Sequence, residues 1–359
     1  MLRFRGIYQS EDSFTGESFG LPALAADVGS LEDEVGEYKT RFVFGPKFRF
    51  YLAKPIERYS ASHLFAEQFM GRSQGIERKR ENTMPKTVEM YEKFLEEYGS
   101  EDAVRKYSTG TAGFGINYLL HHDYAKVYLS AVNSYLQTSP ARPLRLLEFG
   151  CGGGMNIIGL VSLLEGKGVP VECAYGTDFS QTLVQTAMQE AKASLSPGLA
   201  GKLRFNVARN ERLLEDLAAA YSKPVEEWVG SFDLIVGVNT FRYCHRLGKQ
   251  QDCAADIYRL LRPGGVCIMI DMNDRFPAFR SHLKGGVEDP TECYLPSLEE
   301  YASPFKGAGF EINKKENFCW IPHSAGRTLT LCCRLASPLL NLMARSRAMR
   351  SLVVARKPA

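Results

Sequence analysis

The chain has 359 residues, 45% hydrophobic and 24% charged, with Lys+Arg 44 against Asp+Glu 41 and a formal net charge of +3. That composition excludes a mostly disordered chain, a collagen-like chain and a coiled coil, and the length suggests two domains or one with a large appendage. A near-balanced charge neither demands a polyanionic partner nor excludes one. Nine cysteines are present, all from Cys151 onward, with no CxxC pair and with Cys332 and Cys333 adjacent. This spacing predicts reduced, mostly buried thiols rather than a disulfide scaffold or a zinc site. No apolar run approaches the ~18 residues of a membrane span. The opening MLRFRGIYQSEDSF lacks an apolar signal core, so the expectation is a soluble, cytoplasmic protein.

In chain order, residues 1–57 form an extension that ends in TRFVFGPKFRFYLAKP. Phe42 and Phe44, then Phe48, Phe50 and Leu52, alternate with polar neighbours around Gly45-Pro46, which predicts a β-hairpin. Residues 58–138 read as helices: SASHLFAEQFMG, KTVEMYEKFLEEYG and NYLLHHDYAKVYLSAVNSYL. The stretch GTAGFG before the third lacks the GK[ST] ending of a phosphate loop. From residue 139 the pattern changes. LRLLEF, VECAYGT, LRFNVA, FDLIVGV and VCIMIDM are short apolar runs, separated by helical stretches such as NIIGLVSLLEGKG and SQTLVQTAMQEAKASL. Strands alternating with helices predict a parallel sheet covered on both faces. The core region, 139–359, carries two inserts, at 274–297 and 323–348, and ends in SLVVARK.

The most informative string is LLEFGCGGGMN. A buried strand runs into Gly150, Gly152, Gly153 and Gly154, and a helix follows from Met155. Glycines at such a turn let the backbone bend tightly and approach a ligand. A dinucleotide would call for GxGxxG, but the sixth position is Met155. Glu148 would also face the pyrophosphate with a like charge, whereas a carboxylate there suits a cationic ligand such as S-adenosylmethionine.

Residues 144–271 resemble a class I S-adenosylmethionine-dependent methyltransferase of the small-molecule type. Glu148, Gly150, Gly152 and Gly154 meet its E-x-G-x-G-x-G form, with Cys151 inside the loop. The resemblance implies a doubly wound, Rossmann-like α/β fold. Its seven-stranded sheet would be mostly parallel with the last strand antiparallel, beneath an N-terminal helical lid. It implies that Glu148 and the loop hold the methionine part of the cofactor. Asp178 would accept the ribose hydroxyls and Phe179 would flank the adenine. Asn239, ending the fourth strand, would face the methyl donor. Leu260 to Gly265 match the family's turn into the fifth strand, and AGFEI and SLVVARK its sixth and seventh. One departure concerns the adenine: RFNVARNERL offers Asn210 or Glu211 as the acceptor for its amino group, where the family often has Asp.

Methyl transfer from a sulfonium is an in-line displacement, so the protein must align the reactants and exclude water. A hydroxyl nucleophile also needs a base. Among six histidines, His245 in NTFRYCHR is the first candidate and His122, on the helix before the core, the second; packing or surface roles are the competing readings for both. Tyr107 and Tyr243 are further polar contacts. Phe276, Phe279, His282 and Tyr294, in the insert at 274–297, would wall an acceptor pocket. No carboxylate–histidine cluster has metal-ligand spacing.

From Asn317 to Ala359 there are seven Lys+Arg and no Asp or Glu. The insert at 323–348 reads as an amphipathic helix packed on the sheet with a solvated basic face, with a membrane-surface helix or a groove for an apolar or anionic acceptor as alternatives. Pro338 is expected to break it. The partner expected is a small, bulky or apolar organic molecule, with O-methylation favoured over C- or N-methylation, and specialised metabolism a fitting setting. Nucleic acid is disfavoured, since no RNA-binding module and no N/D-P-P-Y string is present. The phenylalanine-rich hairpin would either pack on the main domain or pair with another subunit. Competing readings are an NAD(P)-dependent oxidoreductase and a catalytically silent binding protein on the same fold.

Overall fold

A computed structural model describes residues 39–44, 48–53, 116–139, 142–277, 295–322 and 325–359. The chain divides into two compact units, residues 1–76 and 77–359. In the first, β1 (Lys39–Phe44) pairs antiparallel with β2 (Phe48–Ala53), with Phe42 opposite Phe50 and Phe44 opposite Phe48. The helices expected at 58–115, Tyr107, and the insert residues Phe279, His282 and Tyr294 lie outside the described residues.

The second unit opens with α1 (Ile116–His121) and α2 (Tyr124–Leu136). The sequence predicts one continuous helix here. The chain instead breaks at Asp123, which takes a left-handed backbone (φ 58°) that Asp and Asn adopt more readily than most side chains.

The core alternates strand and helix. β3 (Leu144–Phe149) leads to α3 (Met155–Gly166), β4 (Val171–Asp178) to α4 (Gln181–Ser194), and the short α5 (Pro197–Ala200) to β5 (Leu203–Val207) and α6 (Leu213–Ala220). β6 (Phe232–Val238) is followed by α7 (Phe241–Arg246), α8 (Gln250–Leu260) and β7 (Leu261–Met272). α9 (Leu298–Gly307), β8 (Glu311–Phe318), α10 (Arg327–Ala344) and β9 (Arg350–Arg356) complete it. The seven strands lie in the order β5-β4-β3-β6-β7-β9-β8, all parallel except β9, which runs antiparallel to both neighbours. This is the Rossmann-like α/β sheet expected from the motif order.

Side chains alternate across the pleat, so residue parity decides the face. Leu144 and Leu146 of β3, Ile268 and Ile270 of β7 and Leu352 and Val354 of β9 pack with α1 to α4. Leu147 and Phe149, Cys267 and Met269, and Val353 and Ala355 pack with α6 to α9. Gly237 in β6 is needed for this fit: a Cβ there would lie 2.2 Å from the Phe149 ring.

At the amino ends of the strands sits a buried charge knot. Asp233, fully buried, accepts the Arg145 backbone N–H at 2.8 Å and Arg262 Nη1 at 3.0 Å. Arg142 and the Tyr135 hydroxyl also donate to it. One carboxylate thereby ties α2, β3 and β7 to β6.

α10 departs from the sequence reading twice. It continues through Pro338, and Ser337 Oγ donates to the Cys333 carbonyl one turn back at 2.6 Å. Only Thr330 along it is buried, while Leu335 and Leu342 are 70% and 85% exposed. The helix therefore shows solvent an apolar side as well as a basic one. It touches the core through Leu329 and Cys333, which pack on Cys319 and Ile321, and through Asn341, which accepts the Trp320 indole N–H at 2.8 Å.

Removing one partner from a buried ion cluster strands the rest. Asp233→Ala is expected to lower unfolding free energy by about 3–5 kcal/mol in urea titration, while ligand affinity at the far end of the sheet stays within experimental error.

Candidate functional site

A cleft of the second unit lies past the carboxyl ends of the strands, where open α/β sheets place their ligands. About 930 Å³ of empty space, open solvent at the mouth included, lies between its walls. Each wall comes from the turn after a strand: Gly150 to Asn156 after β3, Asp178 and Phe179 ending β4, Asn210 and Glu211 after β5, and Val238 to Thr240 with Tyr243, Cys244 and Leu247 after β6. Tyr118 of α1 closes one side.

The glycine loop follows directly from its sequence. Gly150, Gly152 and Gly154 all have positive φ (62°, 53° and 82°), a region side chains disfavour. At Gly150 space forbids anything larger: a Cβ would lie 1.9 Å from Thr240 Oγ1. The loop is held by Asp178, whose carboxylate accepts the Gly152 N–H at 2.9 Å and the Ser180 N–H at 3.0 Å. Burial pushes the Asp178 acid up to about 6, against the pull of its backbone donors.

Glu148 ends β3 beneath the loop and is 1% exposed. Tyr128 on α2 donates to Asn156 Oδ1 at 2.8 Å, and Asn156 Nδ2 donates to Glu148 Oε1 at 2.9 Å. The other carboxylate oxygen, Oε2, has no hydrogen-bond partner among the described residues. Burial pushes this acid up to about 8, opposed by the Asn156 amide and the Ile157 backbone. An orphaned carboxylate oxygen on the wall of a cleft fits a cationic ligand.

The far wall rests on β6 and β7. Asn239 lines it with a left-handed backbone (φ 55°), and its Oδ1 accepts from Arg350 Nη1 at 2.8 Å. Asp271, fully buried on β7, accepts the Arg242 backbone N–H at 3.0 Å and Arg242 Nη1 at 2.9 Å. Arg242 Nη2 then donates to the Tyr243 hydroxyl at 2.9 Å, which sets that ring beside the cleft. Asn210 Nδ2 donates to Thr240 Oγ1 at 2.7 Å, so its Oδ1 stays available as an acceptor.

All ten residues expected to bind the cofactor reach this cleft or its supporting loop: Glu148, Gly150, Cys151, Gly152, Asp178, Phe179, Asn210, Glu211 and Asn239 line it, and Gly154 caps α3 behind it. Tyr243 also lines it. Neither histidine expected to act as base does. The His245 ring packs edge-on to Phe241 and Tyr301, because α7 turns Tyr243, Cys244 and Leu247 inward instead. His122 is 1% exposed, its Nδ1 3.1 Å from the Tyr118 carbonyl. Burial depresses them to about 4 and about 3, so both are neutral. Phe276 packs in the small cluster of Cys319, Ile321 and Met349 beside α10, away from the cleft. The sequence reading missed Tyr118, Asn156, Arg242, Asp271 and Arg350. Of these, only Asn156, a polar residue in the otherwise apolar first turn of α3, left a local trace.

Comparison with known proteins agrees with this geometry. Residues 147–267 match the family model described as a methyltransferase domain. These residues form a class I S-adenosylmethionine-dependent methyltransferase domain. The citrinin polyketide synthase of Monascus ruber is 30% identical over 135 residues, 38% of this chain and 4% of that protein. The non-reducing polyketide synthase pks11 of Talaromyces marneffei is 29% identical over 145 residues, 40% of this chain and 5% of that protein. The chain thus spans about one-twentieth of the length of these relatives. A solved S-adenosylmethionine dependent methyltransferase from Mesorhizobium loti is 19% identical, with a TM-score of 0.41, covering 64% of this chain and 96% of that one.

The methyltransferase domain meets the chemistry of its cofactor at two atoms. Glu148 Oε2 lacks a partner that an ammonium would supply, and Asp178 retains lone pairs for hydroxyl donors. Because Glu148 is raised, the empty fold is favoured most below the ordinary carboxyl value of 4.5, and that advantage is lost as pH rises through about 8. A cation in the cleft reverses this by favouring the carboxylate. Calorimetry of S-adenosylhomocysteine binding around pH 7, in buffers of different ionisation enthalpy, is expected to show release of about one proton. Glu148→Gln is expected to abolish that release.

Proposed function

We propose that this chain transfers a methyl group from S-adenosylmethionine to a small, apolar organic acceptor of the polyketide kind, in specialised metabolite biosynthesis, with oxygen the favoured acceptor atom. The observation that carries this reading is the cleft itself. One wall sets Glu148 and Asp178 around bare glycine backbone, and the other is built of Asn239, Tyr243, Cys244 and Leu247. The polyketide synthases that this chain resembles over 135 and 145 residues support the acceptor class.

When bound, S-adenosylmethionine supplies a methyl group already activated by its sulfonium charge. The chain's own residues then bind, orient and exclude water. Asp178 holds the ribose hydroxyls while keeping the glycine loop in place through Gly152. Glu148 faces the ammonium. Asn210 offers Oδ1 to the adenine amino group because its amide nitrogen is committed to Thr240. Phe179 flanks the base. Tyr118 and Tyr243 wall the acceptor side. With His122 and His245 turned away, the cleft works by alignment rather than by a histidine base. Tyr118 offers none either: burial pushes its hydroxyl up to about 12.

Two outcomes follow. Asp178→Ala is expected to weaken S-adenosylhomocysteine binding by roughly 1.5–3 kcal/mol for each charge-assisted hydrogen bond lost, measured by calorimetry; an unchanged affinity overturns the ribose assignment. His245→Ala is expected to lower the melting temperature and leave the pH profile of turnover unmoved, since the ring fills space between Phe241 and Tyr301. The function itself is tested by incubating the chain with S-adenosylmethionine and a panel of polyketide phenols and β-dicarbonyl compounds, and reading methyl gain by mass spectrometry. Saturable cofactor binding with no methyl gain on any member would mark a binding protein on the same fold.

A further inference from the structure

Arg350 opens β9 and heads the fully buried side chains by size, at 1% exposure. Its register partners are Met272, ending β7, and Phe318, ending β8. The antiparallel strand therefore delivers a guanidinium to the carboxyl edge of the sheet, behind the cleft. Nη1 donates to Asn239 Oδ1 at 2.8 Å. Nε and Nη2 have no hydrogen-bond partner among the described residues. Ionisable groups that interact electrostatically with the guanidinium include Tyr118 of α1, Tyr124 of α2, His122 between them, Cys319 after β8 and Asp271 of β7. Burial keeps the phenols and the thiol protonated and the imidazole neutral. Asp271 is the one anion in this set, and Arg242 already holds it through two hydrogen bonds. Within this set one carboxylate serves two guanidiniums, an excess of positive charge that is costly to bury unless something answers it.

We propose that Arg350 makes the Asn239 corner of the cleft an oxyanion subsite, in which the Asn239 amide, polarised by the guanidinium, binds a negatively charged oxygen of the ligand. Asn239 lines the cleft and Arg350 does not, so Arg350 is a positioning residue that acts through it. With Oδ1 engaged, the amide presents Nδ2, which makes no hydrogen bond to any described residue. A hydrogen bond backed by a full charge is roughly twice as strong as a neutral one. The subsite takes a carboxylate, an enolate or a phenolate. An acceptor already ionised needs no histidine to remove its proton. The inference rests on the proposed cofactor reading and adds the charge of what meets Asn239. Two ligands bring such an oxygen: the acceptor, or the carboxylate of the cofactor's methionine tail.

Two matched pairs separate these sources. Benzoate and benzamide are titrated into protein saturated with S-adenosylhomocysteine. S-adenosylhomocysteine and its decarboxylated analogue, which keeps the ammonium and lacks only the carboxylate, are titrated into empty protein. In the wild type at least one pair is expected to favour the anion by about tenfold or more, the worth of one charge-assisted hydrogen bond. Arg350→Gln is expected to level that preference, and Arg350→Lys to restore part of it. Levelling in the benzoate pair assigns the subsite to the acceptor, and levelling in the nucleoside pair assigns it to the cofactor. A folded Arg350→Gln protein that keeps both preferences overturns the subsite, as does a wild type with neither. Failure of the wild type to bind S-adenosylhomocysteine at all overturns the cofactor reading first, and the subsite with it. Asn239→Asp guards against misfolding: aspartate tolerates the left-handed backbone and pairs with Arg350, so the fold holds while both preferences vanish. Their survival in this variant also overturns the proposal.

Discussion

A carboxyl group sealed from water governs the architecture of the cleft. Glu148 could not sit in the interior unless its neighbours were arranged for it. Tyr128 reaches across from α2 to orient Asn156, and Asn156 satisfies one carboxylate oxygen. The other oxygen is left facing the cleft wall. The geometry is completed by what is missing from the glycine loop, since any side chain at Gly150 would collide with Thr240. The loop, the helix behind it and the wall opposite all take their positions from these two requirements.

The sheet then sorts its charges by parity and by end. Glu148 and Arg350 carry even numbers and share the face of α1 and α2, the former in β3 and the latter in β9. Asp271 is odd and faces α7, where Arg242 meets it. The amino ends hold the closed knot of Asp233, in which the carboxylate is surrounded by donors. The carboxyl ends hold the opposite arrangement, with an acid and a guanidinium each keeping donor or acceptor capacity in reserve. Stability is concentrated where satisfaction is complete, and chemistry where it is not.

Much of this was legible in the sequence because it is local. The alternation of apolar runs and helical stretches set the sheet, and LLEFGCGGGMN and YGTDFS placed Glu148, the loop and Asp178 without knowledge of any distant contact. The failures share one cause. His245 follows β6 closely, but the pitch of α7 decides which side chains turn inward, and it selects Tyr243 and Leu247. Asp123 interrupts what reads as a single helix, because one left-handed residue outweighs a periodic pattern on either side. Arg350 comes to lie behind the cleft only through the antiparallel register of β9 with Met272, a pairing of residues 78 positions apart. Arg242 and Asp271 likewise become partners only when β6 and β7 lie side by side. The insert at 323–348 reads as a helix laid on the sheet, but α10 makes its contacts through few residues and leaves its leucines uncovered.

The distance between the Asp233 knot and the cleft has a practical meaning for anyone wishing to breed new catalysts from this scaffold. Residues that shape the mouth, such as Tyr243 and Leu247, sit on a segment that no strand-end ion pair depends on at the other pole. Successive rounds of diversification there would explore new molecular partners on an unaltered chassis.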